Sequence, residues 1–392
     1  MTTLAEQRTQ VGLHATTKSL REIMLDFNFF IPSLKARSTL QAVLAITTTI
    51  TSMSTVAAQP AAGQLEIVAE LKFRPANVAA TDDGKVFATV HPLDKPSGAQ
   101  LITITGKHTY RPWPNAKYQN NGKHFPDDRL DSPLGIYRDK NARIWVADMG
   151  FNIGKTRIWA FDSKTGKLFK RIDLAASVAP KGSFVQDLVV DDVNGWIFLA
   201  DLANPGLIAV NIGNGKARRF GNHPSLNAEA NVKMVIAGKP INFNGKPAEV
   251  AIDPITISDD KETIFYGATN GRSWYSVPAK LFRNGATDQE IANAIVRVGD
   301  KPISDGATTD ADGNHYITNV TESGIDILTK DGKLTPFIRD ARLDWPDGIQ
   351  FGSKDLLYIS VNQLHKTPAF TGGADEGTPP YYIMRVQTKV IP

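Results

Sequence analysis

Ser304-Asp-Gly-Ala-Thr-Thr-Asp-Ala-Asp-Gly-Asn-His-Tyr-Ile-Thr-Asn319 reads as a short strand, a polar turn at Asp310-Ala-Asp-Gly313 and a second strand. Asp-Gly supplies the positive φ that a tight turn needs, and Tyr316 and Ile317 suit a pleated, half-buried surface. The same pattern recurs in Asn77–Thr89, Pro133–Asp148, Gln186–Asp201, Asp253–Tyr266 and Asp347–Ser360, which makes six copies. They begin near residues 77, 133, 186, 255, 305 and 347. A unit of about 40–50 residues built from short strands is the signature of a propeller blade, a four-stranded antiparallel sheet beside a central channel. The expected fold is therefore all-β, a six-bladed β-propeller in one domain over residues 65–392, with the repeated strand pair innermost in each blade. Leu65–Leu71 is expected to pair with Tyr381–Gln387, closing the ring and removing exposed edges.

Bulk properties narrow the function. The chain of 392 residues carries 44 Lys and Arg against 40 Asp and Glu, with no long basic run, so no nucleic-acid partner is expected. There is no cysteine, which excludes disulfides, thiolate nucleophiles and cysteine metal sites. Residues 1–58 differ from the rest. Lys35-Ala-Arg37 precedes a diluted apolar stretch, and Val56-Ala-Ala58 stands before Gln59, which reads as a signal peptide or leader cleaved after Ala58. Its positive region begins late, so translation from Met24 is an alternative start. The mature protein is expected to be secreted or periplasmic, monomeric and free of membrane contact after leader cleavage.

Tyr110–Asp131 is a long polar and aromatic excursion containing Trp113, Tyr118, His124 and Phe125, expected to form a lid over one channel mouth. Ala286–Val296 holds the clearest helical pattern, with Thr287 as N-cap.

The natural site of a propeller is the channel mouth where the innermost strands begin. Asn77, Asp187, Asp305 and Asp347 stand just ahead of the apolar strand residues in four copies, and Asn319 and Asn362 follow the second strand in blades five and six. These six are the candidate ligand-binding residues. Converging carboxylates and amides suit a hard divalent cation such as Ca²⁺, for which Asp305 and Asp347 are the candidate ligands. The bland alternative is turn chemistry, since Asp hydrogen-bonds nearby backbone and Gly permits the turn. No H-E-x-x-H, G-x-S-x-G or Walker pattern is present. His91, His124 and His365 read as rim residues, and Trp113, Trp345 and Tyr275 as possible stacking platforms for an amine or aromatic ligand.

Four passages, Phe184–Val210, Asp253–Ser258 with Ser273–Pro278, Arg143–Gly150, and Trp345–Ile349 with Val361–Leu364, resemble the major royal jelly protein / yellow family. They lie in family order and span about Leu65 to Val386. The resemblance implies a secreted six-bladed propeller, in agreement with the repeat count. Some family members bind small amines in the channel, some are linked to melanin chemistry and some are nutritive. Insect members typically carry cysteines, so this chain looks like a bacterial relative. Gluconolactonase-like (SMP-30) propellers are similar at this level and hold a channel cation through Glu, Asn and Asp, but no Glu stands at a corresponding place here. The expected function is small-molecule binding in the channel, and the alternative is a metal-dependent lactonase- or tautomerase-like enzyme using channel carboxylates.

Overall fold

A computed structural model of the chain describes residues 63–353 and 355–389. The expected leader, residues 1–58, lies outside the described residues. Six four-stranded antiparallel sheets follow one another as blades. Their innermost strands are Pro75–Ala80, Pro133–Arg138, Val185–Asp191, Ile252–Ile257, Ala307–Thr309 and Pro346–Phe351. The repeated pairs are thus the two inner strands of each blade, as their buried, β-branched composition requires. Blade six mixes both chain ends: Leu65–Leu71 pairs with Tyr381–Gln387 in the register Leu65 to Val386 through Leu71 to Tyr381.

Apolar residues alternate along the strands and fill the seams between neighbouring blades. Phe198, Phe220, Tyr266 and Phe282 pack between blades three and four, and Trp145, Ile158, Leu199 and Ile208 between blades two and three. The helical expectation holds: Asp288–Asn293 is a helix on which Thr287 and Glu290 form a reciprocal capping box. The lid expectation does not. Trp113 and Tyr118 pack with Phe87, Trp159 and Phe161 in the seam between blades one and two, because large aromatic rings gain more by filling that seam than by facing water.

Blades two, three and five are also tied internally by a polar residue at the end of the second strand. Asp148 and Arg157 form a fully buried ion pair, and the buried Asp201 pairs with the partly exposed Arg219. Asn319 belongs to this set. Its amide donates to Asp326 at 3.0 Å, and its carbonyl oxygen accepts from Thr321 and from the Glu322 backbone.

Candidate functional site

Where the inner strands begin, five of the six blades make an irregularity before their regular ladder. The strand register shifts between Pro75 and Val78, Pro133 and Ile136, Val185 and Leu188, Ile252 and Ile255, and Pro346 and Ile349. Bulges re-aim side chains, and here they turn a pair of residues per blade toward the axis. The pairs are Ala76-Asn77, Leu134-Gly135, Gln186-Asp187, Asp253-Pro254 and Asp347-Gly348, with Asp305-Gly306 at the same place in blade five.

Close approach of neighbouring blades explains the glycines. A Cβ on Gly135 would lie 2.2 Å from the Gln186 carbonyl oxygen, one on Gly306 2.3 Å from that of Asp347, and one on Gly348 2.2 Å from Asn77 Oδ1. None of the three has a positive φ. In blades five and six, therefore, the glycine after aspartate serves the approach of the next strand, not a turn. Hydroxyls on the second strands complete the ring: Ser360 Oγ accepts from Gly348 N and donates to Ala76 O at 2.6 Å, and Thr89 Oγ1 donates to Leu134 O at 2.6 Å. In blade four the equivalent place is Gly267, and the space is filled by the buried Lys301, whose Nζ donates to Pro302 O and Ser304 Oγ. Burial pulls the Lys301 amine down to about 7.

The structure brings Asn77, Asp187, Asp305, Asp347 and Asn362 together around the axis and adds two partners. Asn77 donates to Asp187 Oδ1 at 2.6 Å, Gln186 to Asp305 Oδ1 at 2.5 Å, and Asn362 to Asp347 Oδ2 at 2.6 Å. Trp345 Nε1 donates to Asp305 Oδ2. Asn319 does not join this group. The fourth carboxyl, Asp253, is the residue that sequence reasoning passed over, because a following proline hid its equivalence to Asp305 and Asp347. Thr269 Oγ1 donates to its Oδ2. As a carboxylate, Asp253 Oδ1 would be buried with no donor; protonated, it reaches the carboxyl of Asp305.

Burial holds all four carboxyls above the usual carboxylate range. For Asp187, Asp253 and Asp347 the charge of Asp305 adds to the effect. Like charges this close do not all ionise, so the group shares protons and titrates as a unit.

This end of the channel is covered. Met234, Ile303, Val320, Trp345, Leu364 and Phe370 form an apolar cluster with Phe243 and Ile241. It is built by two small hairpins, Val235–Ile236 with Lys239–Pro240 and Asn242–Phe243 with Lys246–Pro247, and by the short helix Pro368–Thr371. Trp345 sits at φ 62°, a conformation rare for a bulky residue, held by its bond to Asp305 and by stacking on His365. Asp305 and Asp347 are each 2% exposed in consequence. The mouth at which the inner strands begin is therefore closed, against expectation, because this insertion and the blade-six loop fold over it.

The other end is open. A cavity of about 250 Å³ runs between the inner strands. Asn77 and Asp187 stand at its depth, Ile136, Val189, Ile255 and Ile349 form its walls together with Thr256, Thr308, Thr309 and Gln350, and Tyr137, Lys140, Asp192, Asp259 and Lys261 ring its mouth. Lys140 pairs with Asp259 at 3.0 Å. Of the proposed rim histidines, His124 is exposed, whereas His91 is 1% exposed, caps a helical turn through Nδ1 and is driven down to about 3 by burial. His365 is stacked beneath the cap.

Among the described residues no three His, Cys, Asp or Glu side chains are gathered as metal ligands. Asp305 has a donor on each oxygen, and Asp187 and Asp347 have one oxygen each taken by an amide. A hard cation such as Ca²⁺ takes six to eight oxygens, and these residues as placed do not fit it. Among the described residues no helix is long and apolar enough to cross a membrane.

Comparison with known proteins agrees with the architecture. A family described as "Major royal jelly protein" matches residues 131–367, from the start of blade two through the inner strand pair of blade six. No curated protein matches the sequence. Among solved structures, a gluconolactonase from Xanthomonas campestris is similar with a TM-score of 0.51 at 13% identity, covering 83% of this chain and 91% of that one. A luciferin-regenerating enzyme is similar with a TM-score of 0.50 at 13% identity, covering 83% and 95%. At that identity the likeness is one of fold.

Proposed function

The chain belongs to the major royal jelly protein family, and from that premise we propose that it is a secreted or periplasmic propeller that binds a small molecule in its central channel. The observation that carries the reading is the cavity of about 250 Å³ between the inner strands, walled by aliphatic and hydroxyl side chains and ending on the Asn77–Asp187 pair. A concave cavity on which polar groups converge is the usual form of a ligand site. Its size, just under the roughly 300–1,000 Å³ of drug-sized sites, sets a small ligand. A thermal-shift and calorimetric screen of amines, catechols and sugars on the mature protein tests this. Binding that weakens in Asp187→Asn supports it, and silence across the screen counts against it. Export is tested separately by N-terminal sequencing of the protein recovered outside the cytoplasm: a start near Gln59 supports it, and retained Met1 removes it.

The second reading is a metal-dependent lactonase- or tautomerase-like enzyme working through Asp305 and Asp347. It draws on the buried carboxyls, all held above the usual carboxylate range by burial. The donors already on Asp305 and Asp347 weigh against a cation. Elemental analysis of the purified protein separates the readings. One bound divalent ion, lost in Asp305→Ala together with lactone or dopachrome turnover, would favour the enzyme.

A further inference from the structure

Two side chains on the cavity wall, a carboxyl and an amine, keep hydrogen-bonding capacity unused among the described residues. Asp187 is 8% exposed, and while its Oδ1 accepts from Asn77, its Oδ2 accepts no hydrogen bond from the described residues. Lys261 is 5% exposed and lines the mouth of the cavity. Its side chain makes no hydrogen bond and no ion pair among the described residues; Asp260, an exposed turn residue whose carboxylate accepts from Ser258 and Glu262 N, feels its charge without bonding it. Lysine is almost never this buried without a paired anion. Of the other charges at the mouth, Lys140 pairs with Asp259 and Arg138 with Asp82, while Asp192 accepts from Lys140 N through Oδ2 and leaves Oδ1 buried without a donor.

The axial spacing of the two follows from the strands. Asp187 occupies the same bulge position in blade three as Pro254 in blade four. Ile257, the last residue of blade four's inner strand, lies three residues further along, and Lys261 follows in the turn. Three residues of strand rise amount to about 10 Å. Between the two levels Ile136, Val189, Ile255 and Ile257 give the wall an aliphatic strip, beside the hydroxyls of Thr256 and Thr309.

We infer that the channel ligand is a linear zwitterion with well-separated ends, its ammonium on Asp187 and Asn77 at the depth of the cavity and its anionic group on Lys261 at the mouth, with an apolar chain between. The inference rests on the ligand-binding reading above. It separates the ligand from a simple amine, which would leave Lys261 unpartnered, and from an α-amino acid, whose two charges are too close to reach both side chains.

Calorimetric titration of the mature protein with 6-aminohexanoate, hexylamine, hexanoate and glycine tests it. The expected result is binding of 6-aminohexanoate at least about tenfold tighter than of any of the other three. Lys261→Met is expected to bring 6-aminohexanoate to the affinity of hexylamine while leaving hexylamine unchanged. Hexylamine binding as tightly as 6-aminohexanoate to the wild-type protein overturns the zwitterion while leaving a channel amine site standing. Absence of binding by all four overturns it as well, and if the broader screen of amines, catechols and sugars is also silent, the ligand-binding reading falls with it. The wild-type comparison is decisive even if the variant does not fold.

Discussion

The two ends of the channel are built from the same strands and differ in nearly everything else. At the capped end four carboxyls are crowded beneath apolar residues, and amides or an indole already occupy one or both oxygens of Asp187, Asp305 and Asp347. At the open end the walls mix aliphatic and hydroxyl side chains, and neither Asp187 Oδ2 at the depth nor the Lys261 amine at the mouth has a hydrogen-bond partner among the described residues. The capped end is chemically conspicuous but covered and tied by its own donors; the open end is inconspicuous and incomplete. A ligand completes what the protein leaves open, so the functional reading follows the second end and not the first.

The largest expected effect breaks the capped end by sterics. A Cβ at Gly348 would lie 2.2 Å from Asn77 Oδ1 and 2.7 Å from Asn77 Cα, so backbone as well as side chain must yield. Gly348→Ala is expected to lose on the order of 3 kcal/mol or more in denaturant unfolding. Gly352, at the open end, meets a movable ring edge, Tyr358 Cε2 at 2.7 Å, and Gly352→Ala is expected to lose about 1 kcal/mol. Equal losses would remove the contrast in packing.

The next effect is electrostatic. Burial and the charge of Asp305 hold Asp253 well above its ordinary value of 3.8. A carboxyl with a raised pKa binds its proton more tightly in the folded state, so its contribution is fully present below the unfolded value and is lost as pH rises through the folded one. Asp253→Asn removes that loss. The variant is expected to be more stable than wild type by about 1–3 kcal/mol at pH 8, with the difference shrinking toward pH 4. Melting curves at both pH values check this, and a difference independent of pH would show that Asp253 is ionised throughout.

Asn319 provides the control. It stands on the capped face but is spent on Asp326, Thr321 and Glu322. Asn319→Ala is expected to lose about 1–2 kcal/mol with ligand affinity unchanged; a loss of affinity would return Asn319 to the site. The smallest effect belongs to the open end. Lys261→Met without ligand is expected to change stability by less than about 1 kcal/mol, since the side chain makes no hydrogen bond or ion pair among the described residues and its stem packs as methionine would.

The blades were legible in the sequence because each repeat couples strand composition to a turn signal, and six such signals in order leave few architectures. The pairing of Leu65–Leu71 with Tyr381–Gln387 followed from the need to close the ring. Asn77, Asp187, Asp305, Asp347 and Asn362 were legible as a converging group because the inner strands begin at equivalent places. Asp253 was not, although it occupies the same bulge position, because Pro254 replaces the glycine that marks the pattern. Asn319 was misplaced because a residue ending a second strand can turn either to the axis or back into its own blade, and that choice depends on the partner, here Asp326. Which mouth was open could not be read at all. The cap comes from segments without repeat character, residues 232–247 and 364–371, and its closure depends on tertiary contacts among Met234, Trp345 and Phe370. Lys261 carried no signal either, since a lysine in a strand-connecting turn is ordinarily solvated and its burial is set by neighbouring blades.

The central claim is that the cavity at the open end is where the ligand sits. Thr308 is half-buried on its wall, and Thr308→Trp places an indole in the cavity without touching Asp187 or Lys261. The direct measurement is the dissociation constant of the tightest compound from the amine screen for wild type and for this variant, with circular dichroism confirming the same fold. The account predicts that binding is lost, or weakened by about a hundredfold or more. Unchanged affinity in a folded variant would contradict it and move the site out of the channel.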